Sequence, residues 1–213
     1  MTKHRLDKVF LIPLIFLFSN ITLNVHGQKK DTLRSWDAAL EIDNNFLTDN
    51  FMIGLVGTFN RGWLHTECRY NEEDFHTVSF WGGYNFSGGK QFTFTITPMV
   101  GFMMGSSYGM LPGVSLELAY KRWSFTNESA LVLYSSSMRD ESYIYTSAEL
   151  DFSIDDMFFV GLSVNRNRIY KTKLDTQRGF GGGFTKGPIG VNGYIYNLFF
   201  DQPFGFVSVT YNF

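Results

Sequence analysis

Seven carboxylates, Asp37, Glu41, Glu67, Glu117, Glu128, Glu149 and Asp151, lie in stretches where polar and apolar residues alternate. Side chains two positions apart on an extended strand share a face. Each acid is therefore aimed with the polar set, away from neighbours such as Leu40, Ile42, Leu116 and Leu150. Carboxylates facing one another across a narrow passage would concentrate cations and repel anions. Bases of the same parity are fewer, with Arg69 the clearest and Lys121 at a rim. The alternative is that the acids pair with Arg69, Arg122, Arg166, Arg168 or Arg178 and knit a closed plug, because a buried carboxylate without a partner is costly.

Other chemistry finds little support. His65 and Glu67 share a face and supply two metal ligands, one short of the smallest useful set. The glycines Gly179, Gly181, Gly182 and Gly183 lack the Lys-Ser/Thr pair and the helix that a phosphate loop requires. A single cysteine, Cys68, excludes an internal disulfide and reads as a small apolar filler. No cofactor or metal is implied.

The elements that position the acids have period two throughout. In 36–43 one face reads Trp36, Ala38, Leu40, Ile42 and the other Asp37, Ala39, Glu41, Asp43. The stretch 91–102 sets Phe92, Phe94, Ile96, Pro98, Val100 and Phe102 against Thr93, Thr95, Thr97 and Met99. The same alternation recurs in 64–70, 77–86, 114–120, 144–152 and 158–164, and helical spacing fits none of them. With 51–60, 123–134, 179–185, 189–198 and 204–213 the count is about twelve strands, in a range of 10–12. Pro98 cannot donate a ladder hydrogen bond, so a bulge or local break is expected there. The glycine triplet makes the tenth strand weak by propensity.

The connections alternate in length. Tight turns fall at 60–62, 87–90, 121–122, 153–156 and 186–188. Longer, more polar loops fall at 44–50, 71–74, 105–112, 135–141, 170–177 and 199–203. Short turns at one end and longer loops at the other are expected of an up-and-down barrel crossing a membrane, whereas a soluble Greek-key sandwich needs long crossovers that are absent. The expected fold is all-β: a closed up-and-down antiparallel transmembrane β-barrel.

The 213-residue chain opens with Lys3, Arg5 and Lys8 before an apolar run from Val9 to Phe18, the pattern of an export signal. Val25 and Gly27 suit the positions before a cut, which gives residues 1–27 as signal peptide and 28–213 as the barrel domain. Pro13, Asn20 and Asn24 argue against an uncut anchor. Removing Lys3, Arg5, Lys8 and Asp7 from totals of 18 basic and 20 acidic residues leaves 15 against 19, so nucleic acid is not an expected partner.

At the C-terminus Val207, Val209, Tyr211 and Phe213 alternate with Ser208, Thr210 and Asn212, and the chain ends on the Phe. This last strand resembles the C-terminal signal of bacterial outer-membrane β-barrel proteins. The resemblance implies insertion in the outer membrane of a Gram-negative cell, with outer-membrane lipid and the barrel-assembly machinery as partners. Trp36, Trp63, Tyr120, Trp123 and Tyr211 near strand ends fit the interfacial aromatic girdles of that class. Some of its members are lipid-modifying enzymes with a His-x-Ser pair on a strand. Here His65 and His76 are followed two residues on by Glu67 and Val78, so an enzyme is the weakest expectation. The expected function is a porin-like narrow pore or passive transporter for small solutes with an acidic lumen. The alternative is a structural or surface-interaction barrel with an occluded lumen.

Overall fold

The computed structural model describes residues 36–46, 51–135, 141–169, 175–200 and 202–213. The expected signal peptide lies outside the described residues. Thirteen strands follow in order: β1 (Asp37–Phe46), β2 (Phe51–Arg61), β3 (Leu64–Tyr70), β4 (Thr77–Tyr84), β5 (Phe86–Gly89), β6 (Phe92–Gly105), β7 (Gly109–Tyr120), β8 (Trp123–Tyr134), β9 (Tyr143–Ser153), β10 (Phe158–Ile169), β11 (Asp175–Lys186), β12 (Ile189–Tyr196) and β13 (Phe204–Asn212). Each pairs antiparallel with its sequence neighbours, except that β4 and β5 both lie on β6. The first strand pairs with the last, Leu40 opposite Tyr211. The sheet is thus closed, which is how a β-structure in lipid satisfies every backbone hydrogen bond.

The two short strands are one stave interrupted. Gly83 lies opposite Met99 and Phe86 opposite Ile96, so the register continues unchanged across Asn85 and the barrel has twelve staves. The expected disturbance at Pro98 is therefore a break without a bulge, and it falls on the neighbouring stave, while β6 runs unbroken through the proline. Pro98, with no N–H to offer, faces the gap, while on the other side the pairing with β3 carries on through it, the Asn85 amide donating to the Trp63 carbonyl. The glycine-rich stave is a full strand of twelve residues despite its poor propensity. A Cβ at Gly181 would sit 1.9 Å from the Gly193 carbonyl oxygen, and one at Gly183 2.2 Å from that of Val191. Close backbone packing is what the glycines are needed for.

Burial alternates along most of the long strands, but in the inverse sense to a soluble protein. In β1, Glu41, Asp43 and Asn45 are buried while Leu40 and Ile42 are exposed; in β9, Glu149 and Asp151 are buried while Ile144 and Leu150 are exposed. Apolar outside and polar inside is the arrangement of a barrel whose solvent is hydrocarbon. At the short-turn end, Trp63 stacks on Tyr84 at 5.2 Å and Trp123 packs on Phe152 at 4.9 Å, all facing outward as an aromatic rim. Asp155 tightens the β9–β10 turn by accepting the amides of Met157 and Phe158, each at 2.7 Å, which holds its carboxyl below the usual range. Val207, Val209, Tyr211 and Phe213 face outward on or just after β13, and the Phe213 amide donates to the Ala38 carbonyl at the closing seam.

Candidate functional site: the lumen

The buried charges among the described residues are eight carboxylates and one guanidinium. They divide into two unlike groups.

The first is a knot around Arg69, on the inward face of β3. Its guanidinium forks onto Glu128 of β8, four staves away, with Nη1 2.9 Å from Oε1 and Nη2 3.1 Å from Oε2. Its Nε donates to Glu67, and Nη1 lies 3.6 Å from Glu73. The plane rests on the Trp81 ring at 4.7 Å, and Tyr145 donates to Glu128 at 2.8 Å. A planar five-donor cation suits this task, because it binds one carboxylate with two parallel bonds and still offers donors to others. His65 completes the knot: Nε2 meets Glu67 at 2.8 Å and Nδ1 meets Asn60 at 2.8 Å. Both ring nitrogens are engaged, which leaves no free imidazole nitrogen for a base or a metal ligand.

Glu73 comes from the connection between β3 and β4, residues 71–76, and this segment turns into the barrel. Glu72 and Glu73 are fully buried. Trp81 Nε1 donates to Glu73 at 3.0 Å, the Tyr143 hydroxyl donates to the Glu73 carbonyl at 2.6 Å, and Asp74 accepts from Ser107 and Tyr134. Asn71 and His76 bound the segment in left-handed conformation, with φ of 59° and 54°. Asn71 tolerates that region because its side chain accepts the His76 amide at 2.7 Å. Burial holds the Glu72 carboxyl well above the usual range, with the Glu73 charge adding to the effect and Arg69 opposing it. Burial also raises Glu73, against Arg69.

Glu72 lies flat against β2 because position 54 has no side chain: a Cβ there would fall 1.7 Å from the Glu72 Oε1. Gly54→Ala should therefore displace the Glu72 carboxylate without opening the sheet. We expect an unchanged folded fraction and a modest rise in single-channel conductance; unchanged current would mean that Glu72 does not limit the passage.

The second group has no base. Glu41 and Asp43 from β1 and Glu149 and Asp151 from β9 line the lumen with no base hydrogen-bonded to them, and Glu72, which lies close to Asp43, joins them to the Arg69 knot. Their partners are neutral: Ser208 donates to Glu41 at 2.7 Å and Tyr194 to Asp151 at 2.9 Å. Both carboxylate oxygens of Asp43, and one each of Glu41, Glu72, Glu149 and Asp151, accept no hydrogen bond from the protein. Glu41 interacts electrostatically with Glu149, and Asp43 with Glu72. The acids thus face one another across the interior.

Below the knot, at the short-turn end, a cavity of about 260 Å³ is lined by Asp37, Asn60, His65, Glu67, Glu117 and Glu128 among others. Asp37 and Glu117 are exposed in this vestibule, whereas the other acids singled out from the sequence are buried. Arg166, Arg168 and Arg178 were possible partners for the lumen acids, and the structure overturns that: all three share the outward parity of β10 and β11 and are exposed. Arg122 sits in a turn, where it donates to the Ile154 carbonyl. Sequence reasoning passed over Asp43, whose parity with Glu41 marks it as inward. It also passed over Glu72 and Glu73, for which the alternation of strands carries no signal.

No protein-family model matches the chain, and no curated protein matches it. Solved structures do. The chain is similar in fold to a KdgM porin, at 12% identity and a TM-score of 0.60, over 82% of this chain and 99% of that one. A KdgM porin in complex with disordered oligogalacturonate gives 12% identity and 0.61 over the same shares. A NanC porin gives 11% and 0.60 over 81% and 98%. The fold is that of the twelve-stave porin barrel.

Proposed function

We propose that this chain is an outer-membrane barrel that acts as a narrow passive pore, with a lumen that favours small cations over anions and carries out no chemical reaction. The observation that carries this is the baseless acidic face: Glu41, Asp43, Glu149 and Asp151 are buried without a cationic partner. Unsatisfied carboxylates in a low-dielectric wall are costly unless water and cations fill the space between them. One porin of similar fold is described in complex with oligogalacturonate, a polymer of acidic sugars. A wall of carboxylates with one guanidinium, already tied to Glu128, would repel such a polyanion, so we assign this barrel a solute of opposite or no charge.

Reconstitution in a planar bilayer should give stepwise currents whose reversal potential in a salt gradient reports cation preference. Changing Glu41, Glu67, Glu117 and Glu149 together to Gln should move that potential toward zero selectivity; an unchanged potential would remove the charge argument. The second reading, a structural barrel with a blocked lumen, is favoured by the Arg69 knot and the inserted segment, and absence of current in every salt would establish it.

The inserted segment also makes the current depend on pH. Glu72 and Glu73 have raised proton affinity when inserted. The inserted state is therefore most stable below the ordinary carboxylate value of about 4.3, and it loses stability as pH rises through the raised values. Conductance should increase as pH rises above the ordinary carboxylate range. Glu72→Gln with Glu73→Gln should flatten that profile; a profile of unchanged steepness would show that other groups control it.

A further inference from the structure

We propose that the outer wall of β10 and β11, at the end carrying the longer loops, binds the phosphate groups of an anionic outer-leaflet lipid through Arg166, Arg168 and Arg178. All three side chains are exposed on the outward face. Arg166 lies opposite Thr176 and Arg178 opposite Val164, so Arg166 and Arg178 are diagonal neighbours on adjacent strands, with backbones about 7–8 Å apart. Among the described residues no ion pair or hydrogen bond engages the side chain of Arg166 or Arg168, and the outward positions of β9 to β11 carry no carboxylate. Like charges at such spacing on a sheet repel unless an anion joins them.

The depth of the cluster identifies the anion. From Phe158, at the opposite rim, to Arg166 is eight residues of tilted strand, a rise of about 20 Å, and Arg168 stands about 25 Å up, where an apolar band about 25 Å tall ends. Arg168 is paired with Ile144, and Ile144 with Leu131, two apolar side chains that face outward at the same level. Arg168 therefore sits where hydrocarbon meets headgroups, and Arg166 and Arg178, at about 20 and about 15 Å, carry side chains long enough to reach up toward that level. Nearby outward polar groups, by contrast, are satisfied within the wall: Asn127 donates to the Ser147 carbonyl at 2.8 Å and Ser129 to Thr146 at 3.1 Å.

Beside the cluster, the β12–β13 connection exposes Leu198, Phe199 and Phe200, and the Arg178 guanidinium lies 5.6 Å from the centre of the Phe200 ring. Asn197 ties this connection to Arg178 through hydrogen bonds in both directions. Apolar rings next to forked cations match a molecule with acyl chains and a phosphate, and a planar guanidinium binds phosphate through two parallel bonds. A free phosphate ion would use the cations but leave the rings without a role.

The test is native mass spectrometry of the folded protein in neutral detergent, titrated with diphosphorylated lipid A, with the same glycolipid lacking phosphate, and with inorganic phosphate. The phosphorylated lipid should bind at least tenfold more tightly than the other two. R166Q/R168Q/R178Q should lose that difference, K186Q at the opposite rim should keep it, and R166K/R168K/R178K should fall between. Equal binding of both glycolipids, an unaffected triple Gln variant, or equal loss in K186Q would overturn the proposal. So would a change of oligomeric state without a change in lipid binding, since the face would then be a contact between copies. If the triple Gln variant does not fold, the Lys variant decides: full retention of binding excludes the forked contact.

Discussion

Replacing residues 72–76 with an Asn-Gly turn should raise single-channel conductance several-fold while the barrel still folds. Asn71 and Thr77 already form a closing pair, the Asn71 amide donating to the Thr77 carbonyl at 3.0 Å, so a two-residue turn fits without moving either strand. The excision withdraws both buried Glu side chains from the lumen. It leaves Arg69 paired with Glu67 and Glu128, and Trp81 Nε1 still reaches Ser79 at 3.1 Å. The hydroxyls of Tyr143, Tyr134 and Ser107 lose their acceptors, which costs on the order of 1 kcal/mol each and leaves the sheet closed. Single-channel recording at fixed salt reads the result. A conductance equal to that of the parent chain would place the constriction elsewhere and remove the inserted segment from the account of the pore.

Arg69→Gln should have the largest effect on stability, a loss of about 3–5 kcal/mol, because it leaves carboxylates buried without their cation. Glu128 would lose both forked bonds, Glu73 its nearest positive charge and Trp81 the stacked plane. Unfolding by urea from lipid vesicles measures the loss. Arg69→Lys should recover only part of it, since a point charge cannot meet both oxygens of Glu128 in one plane while also serving Glu67. A second change separates the loss of a partner from the loss of a favourable pair: Arg69→Met with Glu128→Leu should be far less damaging than Arg69→Gln alone. A loss below about 1 kcal/mol for Arg69→Gln would mean that water already screens the knot, and its carboxylates would then belong with the conducting face.

These two experiments bear on different halves of one question, whether the interior is a plug or a passage. Around Arg69 the acids are paired, and there the lumen is knitted shut. Around Asp43 and Glu149 they have no cation beside them, which is what the proposed cation preference rests on. Paired and baseless acids, which are alternatives when only the list of acids is known, stand side by side in the same barrel, Glu149 being one strand from Glu128.

Period-two alternation was enough to place Leu40 outside and Glu41 inside, because in a strand the face of a side chain is a local property. The same rule put Glu67, Arg69, Glu128, Glu149 and Asp151 in the lumen. It also marks Arg166 and Arg168 as outward by parity with Leu162 and Val164, so their assignment as lumen partners came from charge complementarity overriding a local signal. Turn lengths and the run of strands were legible for the same reason, since each depends on a few adjacent residues.

Which acid meets which base was not a local matter. Arg69 and Glu128 are 59 residues apart in sequence, and they meet because closure of twelve staves curves β3 toward β8 at one particular stagger. Glu72 and Glu73 enter the lumen because of the backbone turn at Asn71 and His76 and the empty space above Gly54, none of which alternates. The sequence by itself determined the two faces of the sheet. Only the closed barrel decided the distances across it, because electrostatic pairing depends on separation through the interior and that separation is set by curvature, stagger and one inward-turned connection.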